Sequence, residues 1–156
     1  MHSNKINEFL EKKKSATQGG GQDRIKAQHD KGKLTARERI NLLLDEGSFV
    51  EIDALTTHHY HEYDMQKKKF YNDGVVGGYG TIHNRQVYLF AYDFTILGGT
   101  LSQMGAKKIT KLMDHATRNG CPIIGIADSG GARIQEGILA LMDLQISFII
   151  TNWHLV

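Results

Sequence analysis

Two glycine pairs, Gly98-Gly99 and Gly130-Gly131, are the residues of this sequence best placed to do chemistry. Each follows a strand-like apolar run and precedes a segment of helical pattern. A strand-to-helix turn offers unpaired backbone N–H groups and the positive end of a helix dipole. Two such turns on one edge of a parallel sheet, outside the carboxyl ends of the strands, hold an oxyanion from two directions. That arrangement stabilises an enolate or a tetrahedral oxygen, at about 3–4 kcal/mol per donor. Glycine suits it because no Cβ keeps the substrate at a distance. The same pairs also make tight turns with no ligand, and the residues alone leave both readings open.

Other chemistries are weaker. Ala127-Asp128-Ser129-Gly130-Gly131 has the surroundings of a nucleophilic serine, but the strand–turn–helix elbow requires Gly where this chain has Ala127, and no His–acid pair follows it. Ser129 is therefore expected to be a turn or capping hydroxyl. His58, His59 and His61 lie in a polar stretch without metal-site spacing and read as surface loop residues, with no metal expected. Cys121, beside Pro122 in an apolar run, reads as buried and inert. Gly77-Gly78-Tyr79-Gly80 is no dinucleotide fingerprint, because no helix follows it.

The elements that must position the turns follow from periodicity. Residues 1–48 read as a helical arm: a helix with a short Ile6, Phe9, Leu10 stripe, a break at Gly19-Gly20-Gly21, and a second helix from about Asp23 to His29. A third begins at the capping box Thr35-Ala36-Arg37-Glu38, with Ile40, Leu43 and Leu44 on its apolar face. The arm's Lys and Arg residues make either a phosphate- or partner-binding surface or a solvated face. Residues 49–52 are strand-like and 54–73 an irregular loop. Val75 to Ile82 and Gln86 to Tyr92 form a hairpin through His83-Asn84-Arg85. After Gly98-Gly99, a further capping box is expected at Thr100-Leu101-Ser102-Gln103. The helix it opens has Leu101, Met104, Ile109, Leu112, Met113 and Ala116 on one face and ends at Asn119-Gly120. Cys121 to Ala127 reads as a strand buried on both faces, and Ala132 to Leu141 as a helix. Strand, helix, strand, helix is a βαβα unit, so the fold class is α/β with parallel strands.

Composition agrees with one ordinary domain. The chain has 156 residues, 40% hydrophobic and 23% charged, which argues against wholesale disorder. One cysteine excludes a disulfide framework, and a net charge of +2 gives no reason to expect nucleic acid. No apolar run reaches transmembrane length, and the N-terminus lacks a signal-peptide core, so a cytoplasmic location is the expectation.

Four ordered motifs add a resemblance. Gly32-Lys33-Leu34-Thr35-Ala36-Arg37-Glu38-Arg39-Ile40 leads to Leu43-Leu44-Asp45 and Gly47-Ser48-Phe49. Asp73-Gly74-Val75-Val76-Gly77-Gly78-Tyr79-Gly80 comes next, then Asp93-Phe94-Thr95 with Gly98-Gly99-Thr100. Asp128-Ser129-Gly130-Gly131-Ala132-Arg133-Ile134-Gln135-Glu136-Gly137 completes the set. Over about residues 24–141 the chain resembles biotin-dependent acyl-CoA carboxyltransferase subunits, a family that includes propionyl-CoA carboxylase β subunits and methylmalonyl-CoA decarboxylase α subunits. The resemblance implies a ClpP/crotonase-like fold, truncated here, spanning 49–141 behind the arm. It implies carboxyl transfer between biotin and an acyl-CoA, through an enolate-like α-carbon. Gly130 and Gly131 would polarise the thioester carbonyl. Gly98, Gly99, Ser129 and Ala132 would line the substrate site, and Arg133 and Lys108 would touch the CoA. The implied partners are a biotin carrier protein with a biotin carboxylase or membrane decarboxylase subunits, and further copies of the chain.

The resemblance stops at Met142. With one inserted nucleotide, a back-translation of Ala140 to Val156 reads Ala-Leu-Asp-Gly-Phe-Thr-Asn-Ile-Ile-Tyr-Tyr-Asn-Lys-Leu-Ala-Ser-Ser, close to what the family carries there. Residues 142–156 are thus expected to be a frameshifted tail, and the fragment alone to be inactive. The alternative is a non-catalytic module for CoA-ester binding or assembly.

Overall fold

Alternation along two strands builds the core. In the computed structural model, which describes residues 2–137, β2 (Val75–Ile82) and β3 (Arg85–Tyr92) pair antiparallel, with Val75 opposite Tyr92 and Tyr79 opposite Tyr88. Positive φ at both His83 and Asn84 gives the two-residue turn the twist that a hairpin needs. The Asp45 carboxylate accepts from both of their N–H groups and from the Thr81 hydroxyl. A short β1 (Val50–Glu51) lies antiparallel to β2, and β4 (Ile123–Ile126) lies parallel to β3, giving the sheet order β1-β2-β3-β4.

Each face of the sheet is covered by one helix. Val87, Leu89 and Ala91 pack with Val76 under α3 (Ala36–Leu43), which contributes Ala36 and Ile40, with Leu44 just beyond it. On the other face, Tyr88, Phe90, Tyr92 and Val75 meet α4 (Gln103–Arg118) through Ile109, Leu112, Met113 and Ala116. This is the period-two pattern of a strand buried on both sides. The helices sit close because β2 carries glycines beneath them. A Cβ on Gly77 would lie 2.5 Å from Leu112 Cδ1, and one on Gly80 would lie 2.6 Å from Leu44 Cδ1.

The helical arm is present as α1 (His2–Thr17), α2 (Gln22–His29) and α3. Its parts behave differently. Among the described side chains of α1 only Ala16 is buried, and Ile6, Phe9 and Leu10 are exposed. By contrast, α3 belongs to the core, held at its start by the expected capping box between Thr35 and Glu38. The glycine break is not loose: the Gly20 N–H donates to Thr95 Oγ1, and a Cβ there would lie 1.8 Å from the Thr95 carbonyl oxygen.

Several expectations are corrected. Leu43 points outward, since Ile40 and Leu44 already fill the contact with the sheet. No capping box forms at 100–103: Ser102 caps α4 by accepting from the Gly105 N–H, and Gly105 has no side chain to reciprocate. Met104 is half-buried, facing away from the sheet contact. The β4 strand is half-buried, with Gly125 exposed, because β3 alone pairs with it among the described residues. No helix starts at Ala132. A bridge between Leu101 and Ala132 keeps the chain extended, and a single 3-10 turn, Ile134–Glu136, follows. The remainder of that expected helix and the tail 142–156 lie outside the described residues. Among the described residues, no helix is long and apolar enough to cross a membrane.

Candidate functional site

The topology brings the two glycine turns into contact at the carboxyl ends of parallel β3 and β4. The Gly130 N–H donates to the Gly98 carbonyl at 2.9 Å, and the Ser129 hydroxyl donates to the Gly99 carbonyl at 2.6 Å. Leu101 N–H reaches the Gly131 carbonyl, and Arg133 N–H the Leu101 carbonyl, extending the seam. The closeness has a steric condition: a Cβ on Gly99 would lie 2.5 Å from the Asp128 carbonyl oxygen. Gly98 and Gly131 are open on their Cβ side, with φ of +67° and +101°. Above the seam lies a cleft of 430 Å³, lined by Gly98 and Thr100 on one side, by Gly130, Ala132 and Ile134 on the other, and by Arg24.

This geometry amends the expected roles. Gly130 was assigned an oxyanion donor, but contact between the turns commits its N–H to Gly98. Gly131 is exposed, and among the described residues its N–H meets only the Ser129 hydroxyl, at 3.1 Å. Ser129 is thus the turn hydroxyl expected, bonded to both turns.

Arg133 and Lys108 are not surface contacts for a CoA. Arg133 is wholly buried, its guanidinium paired with Asp73 and with Glu136 at 3.2 Å and bonded to the carbonyls of Asp73 and Thr100. Ser102 joins the same knot by donating to Asp73 Oδ2, and Glu136 accepts from the Gln103 N–H at 2.8 Å. Lys108 is buried beside it, with Nζ 2.7 Å from Asn72 Oδ1 and 2.8 Å from the Val75 carbonyl. Burial pushes its pKa down from 10.5 to about 8, against the pull of Glu51 and Asp53. A cation in a cavity without water needs partners on every side, and both side chains have them inside the fold. They brace the turns from below.

The arm braces them from the side. Asp128, at the entrance to the second turn, accepts from Lys33 Nζ at 3.1 Å and Arg39 Nη2 at 2.8 Å. Burial raises the Asp128 carboxyl, but those two hydrogen bonds outweigh it and hold it below its ordinary value. Lys33 also lies over the Phe94 ring at 5.5 Å. Beside the first turn, Asp93 accepts from the Thr95 N–H and hydroxyl, and the Thr95 carbonyl takes Arg24 Nη1. Asp73, Glu136, Asp93 and Asp128 received no role from sequence. The available signal was their position inside glycine-rich motifs next to a cation that would otherwise stand alone.

His58 is also corrected: it is 1% exposed, with Nε2 donating to the Lys68 carbonyl, because the loop folds back over it. Cys121 is half-buried rather than buried. Among the described residues, no cluster of three His, Cys, Asp or Glu could hold a metal ion.

All four motifs therefore meet at one seam and the knot beneath it, and known proteins resemble the chain across them. The carboxyl transferase domain model matches residues 27–148, running past Leu141, where the motif resemblance stops. The propionyl-CoA carboxylase beta chain of Roseobacter denitrificans is 58% identical over 137 residues, covering 87% of this chain and 27% of its own. The mitochondrial beta chain of Homo sapiens is 55% identical over 139 residues, covering 87% and 26%. Transcarboxylase 12S, solved as a hexamer assembly with methylmalonyl-coenzyme A and methylmalonic acid bound, aligns with a TM-score of 0.92 at 39% identity, over 96% of this chain and 29% of that one. This chain thus spans about a quarter of these relatives' length, and its described residues share the crotonase-like α/β fold of that enzyme. Match length, identity and shared architecture agree that the chain belongs to the carboxyl transferase domain family.

Proposed function

We propose that this chain is the acyl-CoA side of a carboxyltransferase that moves a carboxyl group between biotin and an acyl-CoA of the propionyl or methylmalonyl type. The observation that carries the reading is the pair of glycine turns, joined edge to edge under an open cleft lined by Gly98, Gly130 and Ala132, with Gly131 exposed between the last two. The thioester lies across the seam with its oxygen toward Gly131 and Ala132. Gly98, Gly99 and Gly130 hold the seam shut beneath it. Negative charge that develops on the thioester oxygen as the α-carbon becomes nucleophilic meets donors already fixed in place, which lowers the barrier to enolate formation.

Biotin, carried by a partner protein, supplies the carboxyl group in this family. Among the described residues no second pair of facing glycine turns is available to hold its ring, so these residues account for the thioester half of the reaction alone. The assembly into further copies, and the biotin carrier and carboxylase or decarboxylase partners, belong to the same reading.

Titrating propionyl-CoA into the 15N-labelled chain tests it. Amide resonances of residues 98–99 and 129–132 move, while Gly131→Ala, which forces a side chain onto a φ of +101°, loses the response. The chain alone transfers no carboxyl group. Resonance changes confined to another face, or none at all, refute the proposal. Thioester binding without any transfer, even when the remainder of a longer relative is supplied, favours the binding-module alternative.

A further inference from the structure

The N–H best placed for the thioester oxygen already has an acceptor. Ser129 Oγ lies 3.1 Å from the Gly131 nitrogen and 2.6 Å from the Gly99 carbonyl, with the Gly131 carbonyl a more distant 3.4 Å away. A hydroxyl has one proton and two lone pairs. Donating that proton to Gly99, the shorter contact, leaves the lone pairs for the Gly131 N–H. Ser129 and Gly131 are both exposed, on either side of the cleft-lining Gly130, so the N–H is open to an incoming oxygen.

We propose that Ser129 is a resident competitor for the Gly131 N–H, accepting its hydrogen bond in the free chain and yielding it to the thioester oxygen. The inference rests on the thioester reading of this site. A neutral thioester carbonyl that displaces a neutral hydroxyl gains little, because one ordinary hydrogen bond replaces another. An enolate oxygen gains more, since hydrogen bonds to an ionised acceptor are about twice as strong as neutral ones. The serine must be displaced before either state is held, so it subtracts equally from both: it raises KM and leaves the step from bound thioester to enolate unchanged. Ser129 touches its target only through Gly131 and is a positioning residue.

A structural role and a competing role predict opposite signs. If Ser129 merely held the turns together, Ser129→Ala would weaken propionyl-CoA binding. As a competitor, its loss tightens binding by about fivefold, the worth of one ordinary hydrogen bond, and speeds amide exchange at Gly131 by a similar factor. Ser129→Thr, which keeps the hydroxyl, restores both values. Ser129→Cys keeps the shape with a weak acceptor. It moves both in the same direction by less, and covers the case in which the alanine variant fails to fold. Unchanged Gly131 exchange in Ser129→Ala and Ser129→Cys, or binding that is unchanged or weaker, overturns the competitor while leaving the thioester reading in place. If the unaltered chain does not bind propionyl-CoA, the thioester reading falls and the competitor falls with it.

Discussion

Replacing Lys108 by Met tests the electrostatics beneath the site with a sign that is hard to obtain by accident. Burial holds the Lys108 pKa at about 8, against 10.5 in the unfolded chain. Between those values the unfolded chain keeps the proton and the folded chain does not, so stability rises with pH across that window. The rise is complete above 10.5 and is lost as pH falls through about 8. At about 1.4 kcal/mol per pKa unit, it amounts to about 3 kcal/mol. The neutral amine still donates to Asn72 Oδ1 and the Val75 carbonyl, so the gain is not offset by lost contacts. In Lys108→Met both acceptors lose their donor, at about 1–3 kcal/mol each. At pH 7 the relief of burying no ammonium opposes that loss, and at high pH nothing does. The variant therefore falls further behind the unaltered chain by about 3 kcal/mol between pH 7 and 10.5. Urea unfolding followed by circular dichroism at several pH values reads the difference directly, since groups common to both chains cancel. Parallel stability curves for the two chains would falsify the assignment of Lys108 as a buried, pH-sensitive brace.

The knot gives a larger effect. Arg133→Met leaves the buried carboxyl groups of Asp73 and Glu136 without their common cation and costs about 3–5 kcal/mol, as for other broken buried pairs; a loss below about 1 kcal/mol in urea would put Arg133 on the surface in solution. Arg39→Met removes one of two cations from Asp128, whose carboxyl then titrates closer to its ordinary 3.8. Because the folded value is the depressed one, the stabilisation from Asp128 is present at neutral pH and lost as pH falls through that value; in the variant it is smaller and its loss is complete at a higher pH. A carboxyl-detected NMR titration that gives the same midpoint in both chains would show that Arg39 is not its partner.

What was legible in the sequence was what is decided within a few residues. The capping box joins Thr35 to Glu38, three positions apart, and the hairpin follows from alternation on either side of His83-Asn84. The identity of the glycine turns was legible too, since a strand-like run and a helical run flank Gly98-Gly99. What failed depended on distant partners. Arg133 reads as a CoA contact because Asp73, its partner, stands 60 residues earlier in the chain. Gly130 was legible as a turn residue, but the destination of its N–H is set by the Gly98 carbonyl. His58 read as a surface histidine because its neighbours are polar, whereas its burial comes from the return of the chain at Lys68. The resemblance named these residues as a group and gave no means of dividing donors from braces.

The contacts of the arm also impose an order in time. Gly20 finds its acceptor on Thr95, 75 residues further along, and Lys33 and Arg39 find theirs on Asp128, 95 and 89 residues later. A chain made from its N-terminus at about 5–20 residues per second must wait roughly 5–20 s after Lys33 is added before Asp128 exists to receive it. During that interval Lys33 and Arg39 have no Asp128 to pair with, although the β2 and β3 residues that α3 covers have already been made. The contacts of Lys33 and Arg39 are thus among the last of the described ones to become possible, since they wait for the second glycine turn.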